Sequence, residues 1–293
     1  MEVFLPRTLQ EALETKARHP DALPIAGGTD VMVELNFDRL RPPAIIDVSR
    51  LEELRRWRRE DGAVFLGAGV TYTTIMRELA SFVPLAQASR TVGSPQIRNR
   101  ATVGGNLGTA SPAGDALPVL AAYDAEIVLG RAGGQTRGVP WHRFLLGVKR
   151  TALDPDELIL GARWRVVTGP GSFSKIGTRS AMVISVAGLC LVMDEAQRSV
   201  RVALGSVAPT IVRAEAAEAF AGGALQRTGA WDDPTTRLAE DDVAEFGRLV
   251  AEAARPIDDV RGSAAYRRHA CAVLARRALM WALEDRRMAR GVS

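Results

Sequence analysis

Gln96-Ile97-Arg98-Asn99-Arg100-Ala101-Thr102-Val103-Gly104-Gly105-Asn106, followed by Ser111-Pro112-Ala113-Gly114-Asp115, is the stretch on which the reading of this chain turns. It lies in a segment, 91–115, that is rich in Gly, Ser, Thr, Asn and Pro and has no sustained hydrophobic period. Structureless segments longer than about 12–15 residues within a domain are functional or disordered as a rule. Well-patterned sequence on both sides favours function here. The adjacent Gly104 and Gly105 allow a ligand to approach the main chain closely. Thr102, Asn106 and Ser111 offer hydroxyl and amide groups to phosphates or ring edges. Asp115 has two compatible readings: an acceptor for ribose or ribityl hydroxyls, or the N-cap of a helix expected over 117–123.

A second glycine-rich segment, Ile25-Ala26-Gly27-Gly28-Thr29-Asp30, falls between a strand expected over 23–26 and a helix over 31–36. Exposed amides at such a helix start suit a phosphate; an ordinary strand-to-helix turn is the competing reading. Two segments of this kind in one α/β domain argue for a large diphosphate-containing cofactor. Other nucleotide signatures fail. Gly67-Ala68-Gly69-Val70-Thr71-Tyr72 opens like the dinucleotide fingerprint, but Tyr72 stands where its third glycine belongs. There is no Walker phosphate loop and no Gly-x-Ser-x-Gly nucleophile elbow.

Outward from these segments the pattern alternates. Thr8-Leu9-Gln10-Glu11 forms a capping box and predicts a helix over 9–18. Apolar strands are expected over 44–48 and 63–67, and Thr71 can cap a helix reaching 81. The basic run Arg55-Arg56-Trp57-Arg58-Arg59 reads as a solvated helix face. Strands over 126–129 and 158–166 follow the helix at 117–123. Gly169-Pro170-Gly171-Ser172 reads as a linker. Beyond it come strands over 186–193 and 200–207, then helices over 213–221, 242–254 and 263–286. The change from α/β alternation to a hairpin with helices puts a domain boundary near residue 170.

Composition narrows the function further. The 293 residues carry 38 basic and 34 acidic side chains, a net charge of +4 spread along the chain, so nucleic acid is not expected as a partner. The two cysteines, Cys190 and Cys271, lie in apolar stretches and read as buried free thiols of a reducing compartment. They are too few for an iron–sulfur cluster, which needs four thiolates. The three histidines stand far apart, without the spacing of zinc ligands. The opening residues lack a signal-peptide pattern and no apolar run reaches membrane-spanning length, so a soluble cytoplasmic protein is expected. No acid, base or nucleophile is assigned.

The central block, with Gly27 to Asp30, Pro118, Lys175-Ile176-Gly177-Thr178-Arg179, Leu204-Gly205-Ser206-Val207-Ala208-Pro209, Pro256-Ile257-Asp258-Asp259 and Ser263-Ala264-Ala265-Tyr266-Arg267-Arg268, resembles the FAD subunit of the xanthine dehydrogenase and carbon monoxide dehydrogenase family of molybdenum hydroxylases. The resemblance spans nearly the whole chain. It implies an α+β fold: a two-lobed FAD-binding domain of the vanillyl-alcohol-oxidase (PCMH) type over 1–168, and a smaller C-terminal domain of antiparallel sheet and helices over 172–288. It also implies site residues. Ala26, Gly27, Gly28, Thr29 and Asp30 would wrap the pyrophosphate. Thr102, Gly105, Asn106, Ser111 and Asp115 would continue the FAD site. Val92 and Gly93, with Ile97 nearby, match positions beside the flavin ring, and Ile159 and Lys175 match further cofactor neighbours. Some relatives place an aromatic ring where Val92 stands.

The same resemblance implies an electron relay. A large molybdopterin-binding subunit would oxidise the substrate, and a small subunit with 2Fe–2S clusters would pass electrons to FAD on this chain and on to an external acceptor. A doubled heterotrimer is expected. A self-sufficient flavin oxidase is an alternative, but it needs a catalytic base that no histidine or tyrosine cluster suggests. An assembly subunit that has lost FAD is another, against which the intact glycines and Asp115 stand. The substrate and the terminal acceptor stay open, because the substrate would bind on another chain.

Overall fold

The computed structural model describes residues 1–289. In chain order the elements are β1 (Glu2–Phe4), α1 (Leu9–Arg18), β2 (Leu23–Ile25), α2 (Val31–Asn36), β3 (Ala44–Asp47), β4 (Trp57–Glu60), β5 (Ala63–Gly67), α3 (Tyr72–Glu78), α4 (Val83–Thr91), α5 (Pro95–Arg100), α6 (Val103–Thr109) and α7 (Ala116–Ala122). Then follow β6 (Glu126–Gly130), β7 (Thr136–Pro140), α8 (Trp141–Phe144), β8 (Leu145–Gly147), β9 (Arg150–Thr151), β10 (Leu158–Arg165), β11 (Gly171–Ile176), β12 (Ala187–Asp194), β13 (Ser199–Gly205), β14 (Val212–Arg213), α9 (Glu215–Thr228), α10 (Glu240–Ala253) and α11 (Ala264–Ala289).

Packing divides the chain into two compact units. The first holds Met1–Glu78, Val92–Ser111 and Asp124–Arg165; the second holds Leu79–Thr91, Pro112–Tyr123 and the described residues from Val166. This division and a single cut near residue 170 differ in α4 and α7, which pack with the C-terminal sheet.

The first unit contains two principal sheets, a parallel one ordered β1-β3-β2 and an antiparallel one ordered β4-β5-β10-β6-β7. Helix α1 forms where the capping box predicts it: the Glu11 amide donates to Thr8 Oγ1 at 3.1 Å. Its apolar stripe buries Ala12 and Leu13 in a cluster with Leu51, Leu54 and Leu158. Burying a leucine side chain stabilises by roughly 1.5–3 kcal/mol, enough to hold a ten-residue helix that would be marginal alone. The arginine run is not on a helix. Residues Glu52–Arg55 make one 3-10 turn, and Trp57–Glu60 is edge strand β4, joined to β5 by Asp61 and Gly62 at φ 50° and 72°. An Asp-Gly pair with both φ positive is the preferred tight hairpin turn, and it overrides the helical reading. Charged side chains on an exposed edge also discourage pairing with another sheet.

The second unit is built on the antiparallel sheet β11-β12-β13-β14. Every residue of β12 is buried, so the strand reads as a continuous apolar run and not as an alternation. Leu189, Leu191 and Met193 enter one core with Val202 and Leu204 of β13, Leu225 of α9, Phe246 of α10, and Leu274, Ala278 and Leu279 of α11. Helices α4 and α7 also pack on this sheet. The expected linker ends earlier than its composition suggests, because Gly171 and Ser172 are already paired in β11. Among the described residues, no helix is long and apolar enough to cross a membrane.

Candidate cofactor site

The segment 91–115, expected as loop, contains two short helices. Ser94 caps α5, accepting from the Ile97 amide at 3.4 Å, and Pro95 opens that helix. Thr102 caps α6, accepting from the Gly105 amide at 3.0 Å. The cap residues are visible in the sequence, but the glycines hide the helical period. The start of α6 is tied down by the chain itself: the Val103 amide donates to Val70 O and the Gly104 amide to Ala68 O. Its first amides are therefore engaged within the protein.

The Gly27–Asp30 turn differs. No described residue accepts from the backbone amides of Gly28, Thr29 or Asp30. Gly28 has φ 76°, the left-handed region that glycine enters at no steric cost. Gly27 has another role: a Cβ there would lie 2.0 Å from the Arg100 carbonyl oxygen. The missing side chain lets residues 27 and 100 come together, and Arg100 Nε donates back to Gly27 O at 3.4 Å.

These segments line a cavity of about 560 Å3 within the first unit, inside the usual range of about 300–1,000 Å3 for small-molecule sites. Of the expected site residues, Ala26, Gly27, Gly28, Thr29, Asp30, Thr102, Gly105, Asn106, Ser111 and Ile159 line it. Three features suit it to a polar, phosphate-bearing group. The free amides of the 28–30 turn are donors. Asn106 Oδ1 is a buried acceptor without a partner, a state that costs stability unless a ligand supplies a donor. Gly105 keeps the wall free of a side chain: the nearest atom to a Cβ there would be Thr102 Oγ1, at 3.3 Å.

The cavity also gathers residues that the sequence did not single out. Glu34 and Arg39 come from α2 and the chain after it, Thr109 from the end of α6, and Lys149 from the β8–β9 turn. Thr109 Oγ1 donates to Asp30 Oδ2 at 3.0 Å, and Lys149 Nζ to Glu34 Oε1 at 2.8 Å. The Lys149 hydrogen bond holds the Glu34 carboxyl below the ordinary carboxylate range. No local signal marks these partners, since they lie 79 and 115 residues apart.

Val92, Gly93 and Ile97 lie in the first unit but do not line the cavity. Arg98 Nη1 donates to Val92 O at 3.0 Å and to Gly93 O at 2.9 Å, while Ile97 lies against Gly93. Asp115 and Lys175 belong to the second unit and meet each other. Lys175 Nζ donates to Asp115 Oδ2 at 2.6 Å, Thr91 O at 3.0 Å and Val183 O at 3.0 Å. Asp115 stands at the start of α7 but makes no side-chain cap there. Burial raises its carboxyl above the ordinary value, against the pull of the Lys175 ammonium and the Thr91 hydroxyl.

Both cysteines are free and buried, and burial pushes the Cys271 thiol up to about 12. No group of three or more potential metal ligands occurs among the described residues.

A turn of unengaged amides, a buried acceptor without a donor and a roomy cleft suit the first unit to a phosphate-bearing cofactor. The comparisons with known proteins agree. Residues 1–163 match the family described as the FAD binding domain in molybdopterin dehydrogenase, and residues 172–282 match the CO dehydrogenase flavoprotein C-terminal domain. The chain therefore belongs to the family of FAD-carrying subunits of molybdopterin-dependent oxidoreductases. It is 36% identical over 210 residues to the nicotinate dehydrogenase FAD-subunit of Eubacterium barkeri, covering 67% of this chain and 70% of the relative. It is 30% identical over 287 residues to the carbon monoxide dehydrogenase medium chain of Hydrogenophaga pseudoflava, covering 95% of each. The solved structure of carbon monoxide dehydrogenase from Hydrogenophaga pseudoflava lacking the Mo-pyranopterin moiety matches with TM-score 0.83 and 27% identity over 96% of both chains.

Proposed function

We propose that this chain is the electron-relay subunit of a molybdenum hydroxylase. The observation that carries the reading is the chemistry of the cavity wall. It offers free amides and the unpartnered Asn106 Oδ1, while no histidine, tyrosine or cysteine lines it. Such a wall binds and orients a cofactor; its carboxylates Asp30 and Glu34 are engaged by Thr109 and Lys149, which speaks against their service as the base of a self-sufficient oxidase. The amides of 28–30 would hold the pyrophosphate, Asn106 would accept from the cofactor, Gly105 would spare it a side chain, and Ile159 would give it an apolar surface. Val92, Gly93, Ile97, Asp115 and Lys175 enter the proposal on the resemblance of the sequence alone. FAD supplies the capacity to take up and hand on electrons; the protein supplies binding, orientation and tuning.

Electrons arrive from 2Fe–2S clusters on a small partner subunit, which receives them from a large molybdopterin-binding subunit. The complex is a doubled heterotrimer of the cytoplasm. The first test is the visible spectrum of the purified chain, with identification of the flavin released on denaturation. Close to one FAD per chain without iron or molybdenum, and anaerobic bleaching only when the partner subunits and their substrate are present, is the expected result. Oxidation of a purine or aldehyde by the isolated chain would overturn the relay.

A further inference from the structure

Lys149 has φ 54°, in the left-handed region where a side chain is strained and glycine is the usual residue. A lysine kept in such a conformation points to a use for its side chain. Its amide donates to Ala110 O at 3.1 Å, which fixes the β8–β9 turn against the end of α6. From that position its Nζ reaches Glu34 Oε1 at 2.8 Å.

Glu34 sits on α2, a helix of six residues, none of them buried. A helix this short does not hold itself, and it has little packing to hold it. Its side-chain ties are two: Asp30 to Thr109, and Glu34 to Lys149. All four residues line the cavity, and each pair ties α2 or the residue before it to a separate segment of the chain. The nearby Arg39 lies over the Phe37 ring at 5.2 Å and adds a weaker attraction to the Glu34 carboxylate, while the hydrogen bond comes from Lys149.

We propose that the Glu34–Lys149 ion pair is a retention latch, binding α2 to the β8–β9 turn so that cofactor leaves this cavity only after the pair opens. Exposed ion pairs generally contribute little. This one acts on a six-residue element with no other deep anchor, so a small energy governs whether that element stays in place. The proposal rests on the reading that this cavity holds FAD.

The test is the rate of FAD release from the loaded full-length chain, followed by the rise in flavin fluorescence in low and high salt. Glu34→Gln and Lys149→Gly should each speed release about two- to five-fold, the range set by an exposed pair, and should abolish its acceleration by salt. Lys149→Gly should leave the thermal midpoint of the FAD-free chain unchanged or raised, because glycine relieves the left-handed strain. Reversing both charges, with Glu34→Lys and Lys149→Glu, should restore slow release. A wild-type chain that loads FAD but releases it at the same salt-independent rate as both single variants would discard the latch and leave the cofactor reading intact. A wild-type chain that takes up no FAD would discard both.

Discussion

Lys175 Nζ and Asp115 Oδ2 meet at 2.6 Å with both side chains more than nine-tenths buried. The pair joins β11 to the start of α7 within the second unit. Removing one member leaves a buried charge uncompensated, which typically costs about 3–5 kcal/mol, whereas removing both leaves none. Lys175→Met should therefore lower the unfolding free energy by about that amount. The double variant Lys175→Met/Asp115→Asn should recover most of the loss. Denaturant unfolding measures both, and equal losses in the single and double variants would contradict the pairing.

Two neighbouring glycine clusters should respond in opposite ways. Gly27→Ala places a Cβ 2.0 Å from the Arg100 carbonyl oxygen, and backbone must move to admit it. A loss of stability of about 1–3 kcal/mol is expected, by analogy with overpacked cores. Gly105→Val puts a Cβ 3.3 Å from Thr102 Oγ1, which a small shift of that side chain can admit, and adds branched bulk at the cavity wall. Its thermal midpoint should stay close to that of the wild type while FAD content collapses. Full flavin occupancy in a folded Gly105→Val chain would move the cofactor elsewhere.

Glu157 predicts acid behaviour. Its side chain is 1% exposed and accepts from Arg137 Nε at 2.7 Å, Arg131 Nη2 at 2.9 Å and the Asp154 amide at 2.9 Å. Burial alone would raise its carboxyl, but the Arg137, Asp154 and Arg131 hydrogen bonds outweigh burial and hold it at about 2, against an ordinary 4.5. The folded value is depressed, so the stabilisation is complete above the ordinary value and disappears as pH falls from there toward 2. Thermal midpoints should show Glu157→Gln well below the wild type at pH 7, with the gap narrowing below about pH 4.5 and closing only as pH approaches 2. A gap that stays constant with pH would rule out the carboxylate as its source.

Where the determinants are local, the sequence discloses them. Thr8 and Glu11 announce α1, the apolar runs announce β12 and β13, and the glycine-rich motifs, 25–30 and 96–106 with 111–115, supply eleven residues of the cavity wall. Helices α5 and α6 escape notice because glycine and asparagine erase the period, although Ser94-Pro95 and Thr102 carry their start signals. Strand β4 is concealed by four arginines, yet Asp61-Gly62 marks its hairpin. The lysine partners of Asp115 and Glu34 have no such trace. Each lies 60 or more residues away, and the chain reveals the match only after it has folded.

Strand β12 is covered along its whole length, and part of that cover comes from α4 and α7, which precede it by many residues. The two units are therefore threaded through one another along the chain, although each is compact in space. A fragment beginning at residue 166 would keep its sheet and lose two of the helices that pack on it, so it should be recovered as an aggregate or a loose, dye-binding globule. A cut at the apparent seam near residue 166 should therefore be tolerated far less well than the compactness of each unit suggests.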